Sequence, residues 1–503
     1  MDIAIRTDAS NEIGTGHVTR CHCLADALHA RGARITFVCR FLTPGLRARL
    51  EDAGHQVRMI DAAGAPDALP HAAWLGGSQE HDAAATASEL QDVRPDWLVV
   101  DHYALDQRWE RAMRSGARRI LAIDDLADRP HDCDLLLDAN LAEGASTRYQ
   151  ALVPPGARKL LGPGYALLRP EFAHARAHAQ VRSRGVRRIL VFFGGIDQQN
   201  QTGRVLRLLP GLLAPDVAID VVIGQAHPRR DAVEDLCRSG GLICHVQTDR
   251  MAELMATADL AIGAGGTATW ERCCVGLPAL IWPQADNQMA QVAAAAHQGI
   301  VLAPEAVAHD DEALVMQLKA IAGNPGLLAA MSRSAMDTAD GRGVARICRA
   351  MGVTGIAVRP ATQADSDSLL AWRNVSAVRR VSRTTAVIAR DDHERWLADT
   401  LSRSDRWLLI GERQGKAVGV VRFDLKGAGA ETSIYLTPGP HPCGTGGDLL
   451  AAAESWLVRH GPSGLARLHA DVLADNEASH HLFFSAGFDR TLSSYIKRIV
   501  THG

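Results

Sequence analysis

Short apolar runs recur along the first 155 residues. Ile3–Arg6 is the first, Arg34–Cys39 the second (through Ile35, Thr36, Phe37 and Val38), and Trp97–Val100 and Ile120–Ile123 follow. The last two end in acids, Asp101 and the pair Asp124-Asp125. Between the first two runs, Val18, Cys21, Leu24, Ala25 and Leu28 recur on one helix face, and Gly32 stops the helix. Strand, loop, helix and strand at this spacing predict βαβ units and a parallel sheet. Residues 156–187 are basic and broken by Gly162-Pro163-Gly164 and Arg169-Pro170, so they read as an interdomain connection. The alternation then restarts. Ile189–Phe193 runs into Gly194-Gly195, Val217–Ile223 into Gly224, Leu260–Ile262 into Gly263-Ala264-Gly265-Gly266, and Ala279–Trp282 into Pro283. Two such units, residues 1–155 and 188–352, predict a two-lobed region. Its ligands would bind in the cleft outside the carboxyl ends of the strands. From about Thr354 the pattern changes. Arg406–Ile410, Ala417–Phe423 and Glu431–Leu436 predict neighbouring strands; a glycine-rich loop, a long helix and the run Ala466–Leu473 follow. Residues 356–503 therefore predict a separate mixed α/β domain with an antiparallel meander.

Length and charge narrow the function classes. At about 150 residues per domain, 503 residues suggest roughly three domains. The 54 basic and 57 acidic side chains leave a net charge of −3, so no global field exists to hold a polyanion, and no nucleic-acid partner is expected. No stretch approaches the ~18 apolar residues of a membrane helix, and Asp2 with Arg6 at the start speaks against a signal peptide. Ten cysteines without a C-x-x-C pair disfavour a disulfide scaffold or a cysteine-rich zinc module. The expectation is a soluble, reduced, cytoplasmic protein with no stable membrane insertion.

Three segments carry candidate chemistry. In the first, Gly14-Thr15-Gly16-His17 leads into a helix. Glycines let backbone amides approach a ligand, and the helix presents its positive end. That terminus disfavours imidazolium, so His17 can take a proton from water. Alternatively, His17 caps the helix or donates to a phosphate. Cys21-His22-Cys23 is no metal site by itself, because neighbouring residues on a helix point about 100° apart.

Arg6-Thr7-Asp8-Ala9-Ser10 with Ile13-Gly14-Thr15-Gly16-His17-Val18-Thr19-Arg20-Cys21 resembles the UDP-sugar hydrolases of pseudaminic acid biosynthesis. These enzymes remove UDP from a 2,4-diacetamido-2,4,6-trideoxy-altropyranose. Val100-Asp101-His102-Tyr103, Ile123-Asp124-Asp125-Leu126-Ala127, Leu161-Gly162-Pro163, Tyr165–Arg169 and Gly194-Gly195 extend the resemblance over about residues 1–350. It implies a glycosyltransferase-B-like fold, water attack at the anomeric carbon and His17 as general base. It also implies that Asp8, Gly14, Gly16, Arg20 and Tyr103 meet the substrate.

In the second segment, Gly265-Gly266-Thr267-Ala268-Thr269-Trp270-Glu271 opens a helix after a strand, which suits a diphosphate. Glu271 lies about one turn past Thr267, where a carboxylate could accept both hydroxyls of a ribose, or could simply face solvent. Asp286-Asn287-Gln288 follows the next strand towards the same cleft. The segment resembles the donor-nucleotide site of glycosyltransferase-B proteins, which implies a uridine nucleotide on Gly265, Gly266, Thr267, Glu271, Asn287 and Gln288.

In the third segment, Ile434-Tyr435-Leu436 is a strand, and Gly444-Thr445-Gly446-Gly447 leads into Asp448-Leu449-Leu450. This order of strand, amide-rich loop and helix can cradle a pyrophosphate. Asn476, Ser479, Leu482, Phe483, Gly487 and Phe488 then follow at the spacing of the second acetyl-CoA motif of GNAT N-acetyltransferases. Trp372-Arg373-Asn374, Val378-Arg379, His393 and Trp396 resemble the start of GNATs that acetylate the 4-amine of UDP-amino sugars, and also of ribosomal-protein acetyltransferases. The resemblance implies acetyl-CoA on Leu436, Gly444, Gly446, Gly447, Asn476 and Phe483. Two positions depart from it: His441 stands where Arg or Gln is usual, and Phe483 where a tyrosine often acts as general acid.

The expected fold is thus α/β: two Rossmann-like, glycosyltransferase-B-like lobes followed by a GNAT acyltransferase domain. The expected function is bifunctional, acetyl-CoA-dependent N-acetylation of a UDP-4-amino-sugar and hydrolytic release of UDP from the product, with no metal. A UDP-sugar glycosyltransferase with an accessory GNAT domain is the alternative. A non-enzymatic UDP-sugar or CoA sensor is another, but it would be expected to lack His17 and Glu271.

Overall fold

The computed structural model describes residues 1–491 except 11, 62, 143, 210, 284–285, 304–310 and 463–464; of 286 and 287 it describes the backbone only. The chain divides into two compact units, Met1–Ile347 and the residues from Cys348 onward, with the division inside helix Gly343–Ala350.

The first unit holds two parallel sheets. Sheet one contains β1 (Asp2–Thr7), β2 (Arg34–Cys39), β3 (Gln56–Met59), β4 (Trp97–Asp101), β5 (Ile120–Ile123), β6 (Leu135–Asp138) and β7 (Arg158–Leu161), in the order β3-β2-β1-β4-β5-β6-β7. Sheet two contains β8 (Arg188–Phe192), β9 (Ala218–Ile223), β10 (Ile243–Val246), β11 (Leu260–Ala264), β12 (Ala279–Trp282) and β13 (Val301–Leu302), in the order β10-β9-β8-β11-β12-β13. In each sheet the order reverses beside the first strand, β1/β4 and β8/β11, which opens the crevice where ligands of such sheets bind. The central strands are buried on both faces, as helix-covered parallel strands must be.

The basic stretch 156–187 is more than a connection. Its Arg158–Leu161 pairs with β6 and closes the edge of sheet one. Two of its arginines reach into the second lobe. Arg182 is buried and donates to the carbonyls of Met255, Ala256, Ala258 and Val275, where two helices end. Arg176 donates to Cys274, Met336 and Ala339. Cations there satisfy helix carbonyls that have no partner of their own.

The second unit is a five-stranded mixed sheet of β14 (Ala357–Pro360), β15 (Arg406–Arg413), β16 (Lys416–Lys426), β17 (Gly429–Leu436) and β18 (Arg467–His469). β14 to β17 pair antiparallel, and β18 joins β17 in parallel. The long run expected over Ala466–Leu473 shortens to three half-exposed residues. Helix Thr445–His460 buries Leu449, Ala453, Trp456 and Leu457 against Leu409, Val421 and Phe423. Among the described residues no single helix is long and apolar enough to cross a membrane.

Candidate functional site

β1 delivers the chain into the 8–15 loop, where Gly14 takes a left-handed φ of 78° and its amide bonds back to the Ser10 carbonyl at 2.8 Å. Helix Gly16–His29 starts there with no side-chain cap. His17 lies in its first turn and is buried. Its Nδ1 is 2.6 Å from Oδ1 of Asp101, the last residue of β4. Arg20, one turn further on the same face, grips the Asp101 carboxylate with both arms of its fork, at 2.7 and 2.6 Å. Its third nitrogen donates to Asp125 at 2.9 Å. Asp125 also accepts from the Tyr103 hydroxyl at 2.5 Å and from Asn140 at 3.3 Å. The Tyr103 ring meets His17 edge-on at 4.6 Å.

The charges fix the protonation of this cluster. Burial pushes the Asp101 carboxyl up, but Arg20 and then His17 outweigh it and hold it well below the usual carboxylate range. Asp101 therefore stays an acceptor. It faces Nδ1 of His17, which donates to it, and so turns Nε2 away from the carboxylate. Burial, with Asp125 adding to it, raises the Tyr103 hydroxyl, which stays a donor.

Asp8, implied by resemblance to meet the substrate, is not hydrogen-bonded into this cluster. Its side chain is fully buried, paired with Arg6 at 2.8 Å and His102 at 3.3 Å, and it accepts from the amides of Arg40 and Phe41. It ties β1 to the end of β2. Gly16 opens the helix; a Cβ at Gly14 or Gly16 would meet nothing within 4 Å, so the loop surface is open.

The second lobe faces this cluster with backbone. The Gly265-Gly266 loop follows β11, with Gly266 at φ 99°. A Cβ at Gly265 would lie 2.7 Å from Val292 and 3.2 Å from Gln288, so only glycine lets the loop sit against helix Asp286–His297. Thr267 starts helix Ala268–Cys274 without a side-chain cap. Glu271 is mostly buried; burial raises its carboxyl, and Arg169 at 3.7 Å offsets part of this. The side chain of Asn287 lies outside the described residues. One cleft is lined from both lobes by Arg20, Asp124, Asp125, Asn140, Leu167, Thr267 and Trp270. Across it Trp270 Nε1 donates to Asn140 at 3.1 Å.

Asp101, Asp125, Asn140 and Arg272 belong to this site and were not singled out in the sequence. The acids ending β4 and following β5 were visible as a pattern, since parallel strands point their carboxyl ends at ligands. Arg272 is fully buried beneath the glycine loop and donates to the Ala264 carbonyl at 2.8 Å and to Thr269 at 3.1 Å. Burial lowers its guanidinium to about 10, and among the described residues it forms no ion pair. Its charge lies under a loop suited to anions.

In the second unit, β17 ends at Leu436, which packs on the core. Gly444, at φ 91°, starts helix Thr445–His460 with no side-chain cap. His441 anchors the loop by donating to the Thr437 carbonyl at 2.7 Å. Arg413 holds Thr445 at 3.3 Å and Asp448 at 3.1 Å. Gly446 lies against Leu482, and a Cβ at Gly447 would collide with Arg349. Asn476 caps helix Glu477–Ser485, its oxygen accepting from the Ser479 amide at 3.1 Å. Phe483 is buried against Phe488, so its ring packs and supplies no acid. Tyr435, the residue before Leu436 on β17, is raised by burial to about 12.

Residues 356–489 match the acetyltransferase (GNAT) domain family model. An uncharacterized protein of Methanocaldococcus jannaschii is 23% identical over 98% of this chain and 97% of its own length. The UDP-2,4-diacetamido-2,4,6-trideoxy-beta-L-altropyranose hydrolase of Campylobacter jejuni is 26% identical over 42% of this chain and 66% of its own. Among solved structures, MurG of Acinetobacter baumannii is similar in fold, with a TM-score of 0.50 and 16% identity, covering 70% of this chain and 99% of that one. The chain therefore joins a region like nucleotide-sugar hydrolases, with a glycosyltransferase-like fold, to a GNAT acetyltransferase domain.

Proposed function

We propose that the chain is a bifunctional nucleotide-sugar enzyme of nonulosonate synthesis, on a route such as that to pseudaminic acid. Its second unit acetylates the 4-amine of a UDP-4-amino-sugar, and its first unit releases UDP from the resulting diacetamido sugar. The observation that carries this reading is the His17–Asp101 pair, clamped by Arg20, opposite a capless glycine loop. Nε2 of His17 takes a proton from water as the water oxygen bonds to the anomeric carbon. The carbon–oxygen bond to the β-phosphate breaks, and UDP leaves with the electron pair. Asp101 holds the imidazole in the tautomer this needs and stabilises the imidazolium, which returns its proton to solvent. The glycine-loop amides and the buried Arg272 charge stabilise the departing diphosphate.

In the second unit, acetyl-CoA lies on the Gly444–Gly447 loop. The sugar amine attacks the thioester carbonyl; a carbon–nitrogen bond forms, the carbon–sulfur bond breaks, and the CoA thiolate takes up the proton lost by the amine. Residues 1–352 alone are expected to release UDP, and 356–503 alone to bind acetyl-CoA. The deciding experiment incubates the full chain with UDP-4-amino-4,6-dideoxy-N-acetylaltrosamine, with and without acetyl-CoA, and follows UDP and CoASH. UDP release that depends on acetyl-CoA, with no added acceptor, supports the reading. Release that waits for an organic acceptor makes the first unit a glycosyltransferase.

A further inference from the structure

Helix Gly16–His29 carries a second polar cluster on the face away from His17. His22, Asp26 and His29 recur at i, i+4 and i+7, and the turn entering β3 brings His55 against them. Nε2 of His55 is 2.9 Å and Nε2 of His22 is 3.3 Å from the same oxygen, Oδ1 of Asp26. Among the described residues this is the single place where three such groups converge, their ligand atoms all within 4.8 Å of one another.

An ion-pair cluster alone leaves one feature without an account. Nε2 of His22 is buried and has no hydrogen-bond partner, although it stands 3.3 Å from a carboxylate. His55, on the other side of that oxygen, is fully buried. Two imidazole nitrogens turned on one carboxylate oxygen at these distances match the ligand–ligand edges of a tetrahedral site. Metal–ligand bonds of about 2.0–2.1 Å place neighbouring ligands roughly 3.3 Å apart. Asp26 is half exposed, so an ion can reach the site from solvent and keep a water as its fourth ligand.

We propose that His22, Asp26 and His55 form a binding site for one divalent transition-metal ion, with Zn²⁺ the best match to two imidazoles and one carboxylate. The ion fastens the second turn of the helix that carries His17 to the Gly54-His55 turn. Its helix ligands lie about 8 and 13 Å along the axis from His17, and it takes no part in UDP release. His29, its ring 5.6 Å from that of His55 and its Nδ1 bonded to the Ala33 carbonyl, walls the site.

The test uses the full chain without a histidine tag, stripped of metal. Titration with Zn²⁺ by calorimetry and with Co²⁺ by visible absorption should show one tight equivalent. Excess Zn²⁺ should raise Tm by roughly 3–8 °C. Asp26→Asn and His22→Gln should each weaken that equivalent by at least about tenfold, while His178→Ala, at an exposed histidine elsewhere, should not change it. Should His55→Ala fail to fold, the two milder variants decide. No stoichiometric binding, or binding equal in Asp26→Asn, His22→Gln and the unaltered chain, overturns the site. EDTA should leave UDP release by the folded chain intact; loss of release would place the metal in the reaction and overturn its role as a fastening.

Discussion

The two lobes of the first unit face one cleft with opposite materials. The first lobe presents side chains: His17, Arg20, Asp101, Tyr103 and Asp125 form one connected network of charge. The second presents backbone, a loop of glycines packed so closely that Gly265 has no room for a methyl group, over one buried guanidinium. A side-chain network can orient and move a proton; a backbone loop can only hold an anion. Substitutions in the first lobe should therefore be read in kcat, and in the second in affinity.

The sharpest break of that contrast is His17→Ala. UDP release should fall by about 10²–10⁴-fold, with UDP affinity by calorimetry nearly unchanged and CoA-dependent acetylation untouched. Asp101→Asn should act in the same direction and also shift the pH–rate profile, because the imidazole loses the negative charge that stabilises its protonated form. A mutant with normal kcat and poor affinity would move the first lobe's network to binding.

Glu271→Ala tests the other side. Hydrogen bonds to a charged group contribute about 1.5–3 kcal/mol, so UDP should bind roughly 10- to 150-fold more weakly, while kcat changes little. Unchanged affinity would take Glu271 out of the nucleotide site.

The first lobe's charges also leave a signature in stability. His131 is buried 2.8 Å from Glu110 and 3.8 Å from Asp124. Burial opposes its charge, but the two carboxylates outweigh burial and raise it to about 9. Its stabilisation is complete below the unfolded value of about 6.5 and is lost as pH rises through about 9. Urea denaturation at increasing pH from 7 upward should show a loss on the order of 3 kcal/mol. His131→Gln should flatten that slope; an equal slope in the variant would assign the loss to other groups.

The smallest effect is expected in the second unit. Cys443 is exposed beside Gly444. There it would face phosphates, not the thioester, so Cys443→Ala should keep acetyl transfer within about twofold, with sequential kinetics. An acetyl group found on Cys443 by mass spectrometry, together with loss of activity in the variant, would reverse the mechanism to a covalent one.

The same contrast explains what the sequence revealed. Glycines, and apolar runs that end in acids, are local signals, so the parallel sheets and the three glycine loops were legible. β3 and β10 were not, because edge strands such as Gln56–Met59 bury no face and carry no apolar run. Nor was β7, whose Arg158-Lys159 start looks like a linker. The site's side chains come from positions 17, 20, 101, 103, 125 and 140, and only the fold decides which of many acids converge. Asp8 and Asp101 each follow or end a buried strand in the same sheet; the first is consumed by Arg6 and His102, the second by His17 and Arg20. No spacing in the sequence distinguishes them.

Asn140 is the joint between these two materials. Its nitrogen donates to Asp125, and its oxygen accepts from Trp270, one residue before Glu271. Asp125 in turn holds Arg20 and Tyr103, the neighbours of His17. Under the proposed function, this hydrogen-bond chain would couple the seating of a nucleotide on the second lobe to the alignment of the base on the first. Whatever factor an occupied glycine loop adds to the bonded arrangement, that arrangement adds to nucleotide affinity by reciprocity. Trp270 is the side chain that crosses the gap, so Trp270→Phe, which removes its hydrogen bond to Asn140, should weaken that coupling.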